Sequence, residues 1–200
     1  MIFGIIRWGI GIALFVIIFF ALKNKKRHIN HGRKRIIISA VFAVLITTVI
    51  FFIPFENLFV HFKTPESAYC YFQTGTPKYT VYGKNSAMII ADDRESENIS
   101  VISKADKVGS WKISLGYNTK IVSQSFHGGN SAVVFKHKPT GDCYIFVYAN
   151  DLQSSVKDEQ GTKFVEISNE STPVKEYVAY LANFEKNYTV NVNGDVLVFN

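Results

Sequence analysis

Acidic residues are missing from the first fifty-five positions: the first carboxylate of this 200-residue chain is Glu56, although Asp and Glu number 16 in all. Cysteine is nearly missing too, with only Cys70 and Cys143, which excludes a disulfide-built scaffold and any paired Cys-x-x-Cys zinc site. No Gly-x-Ser-x-Gly elbow, His-Glu-x-x-His helix, phosphate loop ending in Gly-Lys-Ser/Thr or EF-hand loop occurs. No catalytic nucleophile, base and orienter stand at a recognisable spacing, no cofactor is implied, and the chain is not expected to be an enzyme. No cysteine sits just after either long apolar run, no small-residue cleavage signal follows Leu22, and no Gly/Ser/Pro-rich linker follows residues 55–63.

The charge that is present is unevenly placed. Residues 1–35 hold eight of the 22 Lys and Arg and no acid, whereas residues 36–200 hold fourteen against sixteen acids, a balance of −2. The overall +6 therefore does not describe a basic nucleic-acid face, and nucleic acid is not an expected partner. Lys23, Lys25, Lys26, Arg27, Arg33, Lys34 and Arg35 crowd between the apolar runs 2–22 and 36–53. A bilayer core takes about 20 helical residues, and Lys/Arg-rich loops stay cytoplasmic. The pattern predicts a transmembrane hairpin over 1–54 with a cytoplasmic loop at 23–35, contacts with membrane lipids, and both termini outside the cytoplasm of a bacterial cell. Arg7 and Trp8 are expected at the outer head groups, the arginine snorkelling.

Aligning the two runs at the Leu22/Ile36 edge pairs residues whose numbers sum to about 58. Gly9 and Ala13 then form a small-residue notch opposite Val49 and Leu45, and Ser39 and Ala43 form one opposite Phe19 and Phe15. Residues 55–63 read as a juxtamembrane segment with Phe55, Leu58, Phe59 and Phe62 on one stripe.

Residues 64–200 read as one extracytoplasmic domain, α+β and mostly antiparallel, with two short helices. Thr64-Pro65 and Thr172-Pro173 each offer a capping hydroxyl followed by proline at the first helical position. They predict helices running to about Thr74 and over 174–184, the second with Val174, Tyr177, Val178, Leu181 and Phe184 on one face. The same dipeptide precedes Tyr-Thr-Val at 79 and at 188, a hint of a duplicated helix-strand unit. Period-2 alternation predicts strands at 79–82, 87–91, 99–103, 111–115, 119–126, 132–137 and 164–168. Cys143–Ala149 is apolar on both faces and is expected at the centre of a sheet. Asn193-Gly194 between alternating runs predicts a closing hairpin, and Gly128-Gly129 a second tight turn.

Two clusters suggest metal and are set aside. His127, His137, Asp142 and Cys143 match no zinc spacing, and the acids of 92–97 lack the order of a calcium loop. His127-Gly128-Gly129 resembles the oxyanion segment of lipase-like hydrolases over three residues only, without the serine elbow that chemistry requires. The expectation is a membrane-anchored binding or interaction domain at the cell envelope, with an envelope protein, a peptide or a cell-wall polymer as partner, supported by aromatics on both strand faces. The alternative is a structural or regulatory subunit recognised through its hairpin.

Overall fold

The computed structural model describes residues 2–24, 32–53, 55–93, 96–105, 109–114, 118–151, 153–167 and 174–199, with the side chains of 2–4, 22–24, 32–35, 50–52, 55, 93 and 96–97 outside the description. The chain divides into two compact units, one formed by Met1–Val60 with Tyr71–Thr74, the other by His61–Cys70 with Gly75–Asn200.

The first unit contains helix α1 (Ile2–Asn24), helix α2 (Gly32–Phe52) and a 3-10 turn (Phe55–Leu58). The two long helices pack along one another where α1 has no side chain: a Cβ on Gly11 would lie 2.8 Å from Thr47 Oγ1. Ser39 and Ala43, two turns and one turn before Thr47, are buried, and Phe15 and Phe19 are half-buried. Gly9 and Ala13, together with Leu45 and Val49, are exposed instead, and a Cβ on Gly9 would meet nothing within 4 Å. Gly11 and Thr47 themselves sum to 58. Arg7 does not reach outward. It is fully buried and grips Glu56 with two charge-assisted hydrogen bonds, Nε to Oε1 at 3.0 Å and Nη2 to Oε2 at 2.8 Å, and Nη2 also donates to the Ile53 carbonyl. A buried guanidinium must be paired, and the first acid in the chain supplies the partner.

The expected transmembrane hairpin is corrected here. Among the described residues no helix is long and apolar enough to cross a membrane. The expected loop at 23–35 is helical at both ends, since α1 includes Lys23 and α2 begins at Gly32. The membrane location, the two-pass topology and the extracytoplasmic placement that rested on that hairpin fall with it. Of the basic residues, Lys25, Lys26 and Arg27 lie outside the described residues, and Lys23, Arg33, Lys34 and Arg35 are described in backbone only.

The second unit opens with helix α3 (Pro65–Phe72), whose last two residues count with the first unit. Thr64 caps it as the sequence predicts: Ser67 N donates to Thr64 Oγ1 at 3.2 Å, and Thr64 N donates back to Ser67 Oγ. Among the described residues twelve strands follow in three antiparallel sheets. Strands β1 (Thr76–Tyr82), β2 (Ser86–Asp93), β3 (Ser96–Lys104) and β4 (Trp111–Lys112) form a meander. The middle sheet runs β5-β6-β7-β10-β9, with β5 (Thr119–His127), β6 (Asn130–His137), β7 (Cys143–Ala149), β9 (Val165–Glu166) and β10 (Lys175–Leu181). The third is β12-β11-β8, with β8 (Val156–Asp158), β11 (Tyr188–Val192) and β12 (Asp195–Phe199).

Burial explains the stacking. Cys143, Ile145 and Val147 of β7, with Tyr177, Ala179 and Leu181 of β10, join Val190, Leu197 and Phe199 of the third sheet in one core. Tyr144 and Phe146, with Val178, face the other way into a second core with Met88, Ile90 and Val101 of the meander. The middle sheet is thus covered on both faces, and β7 sits at its centre. The same double burial corrects the second expected helix, which is strand β10. Tyr177, Ala179 and Leu181 alternate with Val178 and Tyr180, so the segment satisfies period 2 as well as period 3.6, and two apolar layers select the strand. Thr172-Pro173 lies outside the described residues, and with no helix at 175–181 the suggested duplication has no counterpart. The two glycine turns form as expected: Gly128 and Gly129 both have positive φ, as do Asn193 and Gly194.

Candidate functional site

One end of the layer between the meander and the middle sheet is polar. Ser86 of β2 pairs with Ser103 of β3, and Ser103 with Lys112 of β4, so these three side chains share a face of the meander. Across from them the β6–β7 hairpin brings His137, Thr140, Asp142 and Tyr144. Asp142 is buried and accepts hydrogen bonds from Asn85 N at 2.8 Å, Ser86 Oγ at 2.6 Å and Tyr180 OH at 3.4 Å. Ser86 Oγ in turn accepts from Tyr144 OH at 2.8 Å, since its own proton goes to Asp142. Burial raises the Tyr144 phenol well above its ordinary range, so it stays a neutral donor. The glycine before this knot is sterically required: a Cβ on Gly83 would lie 2.5 Å from Tyr144 OH and 3.0 Å from the Tyr180 ring.

His137 lies beside the knot, fully buried, with Nε2 at 2.7 Å from Ser103 Oγ and 3.5 Å from Ser114 Oγ. Its Nδ1 has no hydrogen-bond partner among the described residues. Burial lowers its pKa to about 4, against an opposing pull from Asp142, so the ring is neutral at physiological pH.

Two clefts flank the knot and share Asn85 and Thr140 as a common ridge. The larger, about 560 Å³, is walled by Asn85, Ser103, Lys104, Lys112, Pro139 and Thr140. The other, about 380 Å³, is walled by Lys84, Lys136, Asp142, Tyr180 and Glu185 among others. Lys104 is held in place, its Nζ donating to the Lys84 carbonyl at 2.6 Å and the Gly83 carbonyl at 3.4 Å while lying 5.7 Å from the Trp111 ring centre.

The histidines and carboxylates considered for metal do not converge. His137 and Asp142 share this end, Cys143 turns to the opposite core with a raised thiol pKa from burial, and His127 is exposed beside Asp195 at the end of β5. No group of three metal-ligating side chains occurs among the described residues. The acids at 93–97 lie outside the described side chains, and both cysteines are free. The aromatics of the described strands are mostly core: Trp111, Tyr144, Phe146, Tyr177, Tyr188 and Phe199 are buried and Tyr79, Phe135 and Tyr180 pack against a core, while the exposed Tyr82, Phe126 and Tyr148 stand on three different strands. Sequence reasoning finds neither Arg7–Glu56 nor the Ser86–Asp142–Tyr144 knot, whose members lie 49 and 56–58 residues apart. No protein-family model matches this chain, and no curated protein or solved structure matches it.

Proposed function

We propose that this protein is a non-catalytic recognition module that takes its ligand at the polar end of the second unit. The lysine-lined clefts on either side of the Asn85/Thr140 ridge carry this reading. The ridge is rigid, because Asn85 N and the β6–β7 hairpin are both tied to Asp142. A preorganised polar surface loses little entropy on binding. The Ser103–His137 pair favours recognition over catalysis: a base whose pKa lies near 4, with Nδ1 unoriented, is poorly matched to proton transfer at neutral pH.

A second reading, a structural or regulatory subunit gripped through its helices, is favoured by one observation. The outward faces of α1 and α2 expose Ile5, Trp8, Ile12, Ile17, Phe20, Ile37, Phe42, Val44 and Leu45, an apolar surface of the kind that partners cover. Photo-crosslinking in the source cells separates the two. A photoreactive residue at Thr140 should give adducts and one at Val44 few. Adducts at Val44 with none at Thr140 would replace the module reading with the subunit reading.

A further inference from the structure

Resting on the module reading, we infer that the ligand is a linear polyanion other than nucleic acid, a chain carrying repeated phosphate or carboxylate groups, laid across the Asn85/Thr140 ridge. Ammonium groups stand on both sides of it: Lys104 and Lys112 line one cleft, Lys84 and Lys136 the other. The larger cleft has no acid on its described wall. The smaller has Glu185 and Asp142, and Asp142 is buried with its oxygens engaged by Asn85, Ser86 and Tyr180. The concentration is local, since residues 36–200 as a whole carry more acid than base. Lysine is a point charge on a long stem and suits dispersed, repeated anions better than one planar group that needs a bidentate fork. Two open clefts joined over a shared ridge suit an extended chain and not an enclosed small ion. The Lys104 ammonium, already held by two carbonyls, is presented without further ordering of its stem.

The test is titration of the full chain with linear polyphosphate, polygalacturonate, inorganic phosphate, neutral dextran and a single-stranded oligonucleotide, followed by calorimetry and by amide shifts. Expected is a Kd for polyphosphate or polygalacturonate at least about tenfold below that for inorganic phosphate, weakening at least about tenfold between low and moderate salt as surface charges are screened. The shifts should centre on Asn85, Lys104 and Thr140. Which polymer binds tells phosphate from carboxylate chemistry. Lys84→Gln with Lys136→Gln should raise Kd about tenfold without touching the contacts that hold Lys104, and Lys157→Gln on β8 should leave it unchanged. Equal binding of dextran or inorganic phosphate, a preference for the oligonucleotide, or an equal loss with Lys157→Gln would overturn the inference. Adducts at Thr140 with no polyanion binding would leave the module reading standing and remove only the ligand class.

Discussion

The two faces of the middle sheet are finished differently. Towards the third sheet the core is apolar from Ala132 and Val134 through Ile145 and Leu181 to Leu197 and Phe199, and its margin carries separate polar pairs, Asn130 with Asp195 and Tyr177 with the Ser154 carbonyl. Towards the meander it is equally apolar around Met88, Ile90, Phe146 and Val178, but it ends in the Ser86, Ser103 and Lys112 row facing His137, Asp142 and Tyr144. The difference shows where stability and where recognition are placed. An apolar interface closes itself, whereas a polar one needs specific partners and leaves polar groups at its margin, where a ligand can meet them.

The largest effects should come from the apolar parts, and they should be alike on the two faces. Phe146→Ala and Ile145→Ala, neighbours on β7 pointing into opposite cores, should each lower unfolding free energy in urea by about 3–5 kcal/mol. A loss confined to one of them would mean that the two layers do not share one cooperative unit. Asp142→Ala should cost about 2–3 kcal/mol by leaving Asn85 N and Ser86 Oγ without their acceptor. Its cost should exceed that of Asp158→Ala, whose carboxylate is held near the surface by Thr162 and Tyr188. A similar cost, about 1–3 kcal/mol, is expected for Gly83→Ala, because the added methyl drives into Tyr144 and Tyr180. Thermal denaturation measures it, with Gly109→Ala, where a Cβ meets nothing within 4 Å, as the comparison for strain alone.

The smallest effect per step is pH. With the His137 pKa lowered from 6.5 to about 4 by burial, the unfolded chain binds a proton between those values that the fold excludes. Stability is therefore complete above pH 6.5 and is lost as pH falls towards 4, by at most about 1.4 kcal/mol per unit. The groups facing the ring are the Ser103 and Ser114 hydroxyls, with Asp142 pulling in the opposite direction. Urea unfolding at pH 7, 5.5 and 4.5 should show this slope in the native chain and a flatter one in His137→Gln. Equal slopes would place the acid sensitivity elsewhere, as at Asp158, whose lowered pKa also removes stability on acidification.

Local signals were legible where one short stretch carries the whole reason. Thr64-Pro65 caps α3, Asn193-Gly194 and Gly128-Gly129 turn hairpins through positive φ, and β7 reads as central because both its faces are apolar. The same kind of signal failed for β10, whose apolar residues fit two periods at once, and for the α1 notch, where Gly11 and not Gly9 meets the neighbouring helix. Aromatic richness pointed to a binding face, yet most of those rings fill the two cores.

By itself the sequence determined the β-rich character of residues 76–199, its hairpins and the acid-free opening, because these follow from neighbours a few residues apart. Tertiary structure alone decided that Arg7 meets Glu56, that 175–181 is a strand, and that Ser86, Ser103, His137 and Asp142 gather in one polar cluster flanked by two clefts. Those pairings join residues 34 to 58 apart, and they form only because buried charges and hydroxyls must find partners once two apolar faces have closed over a single sheet.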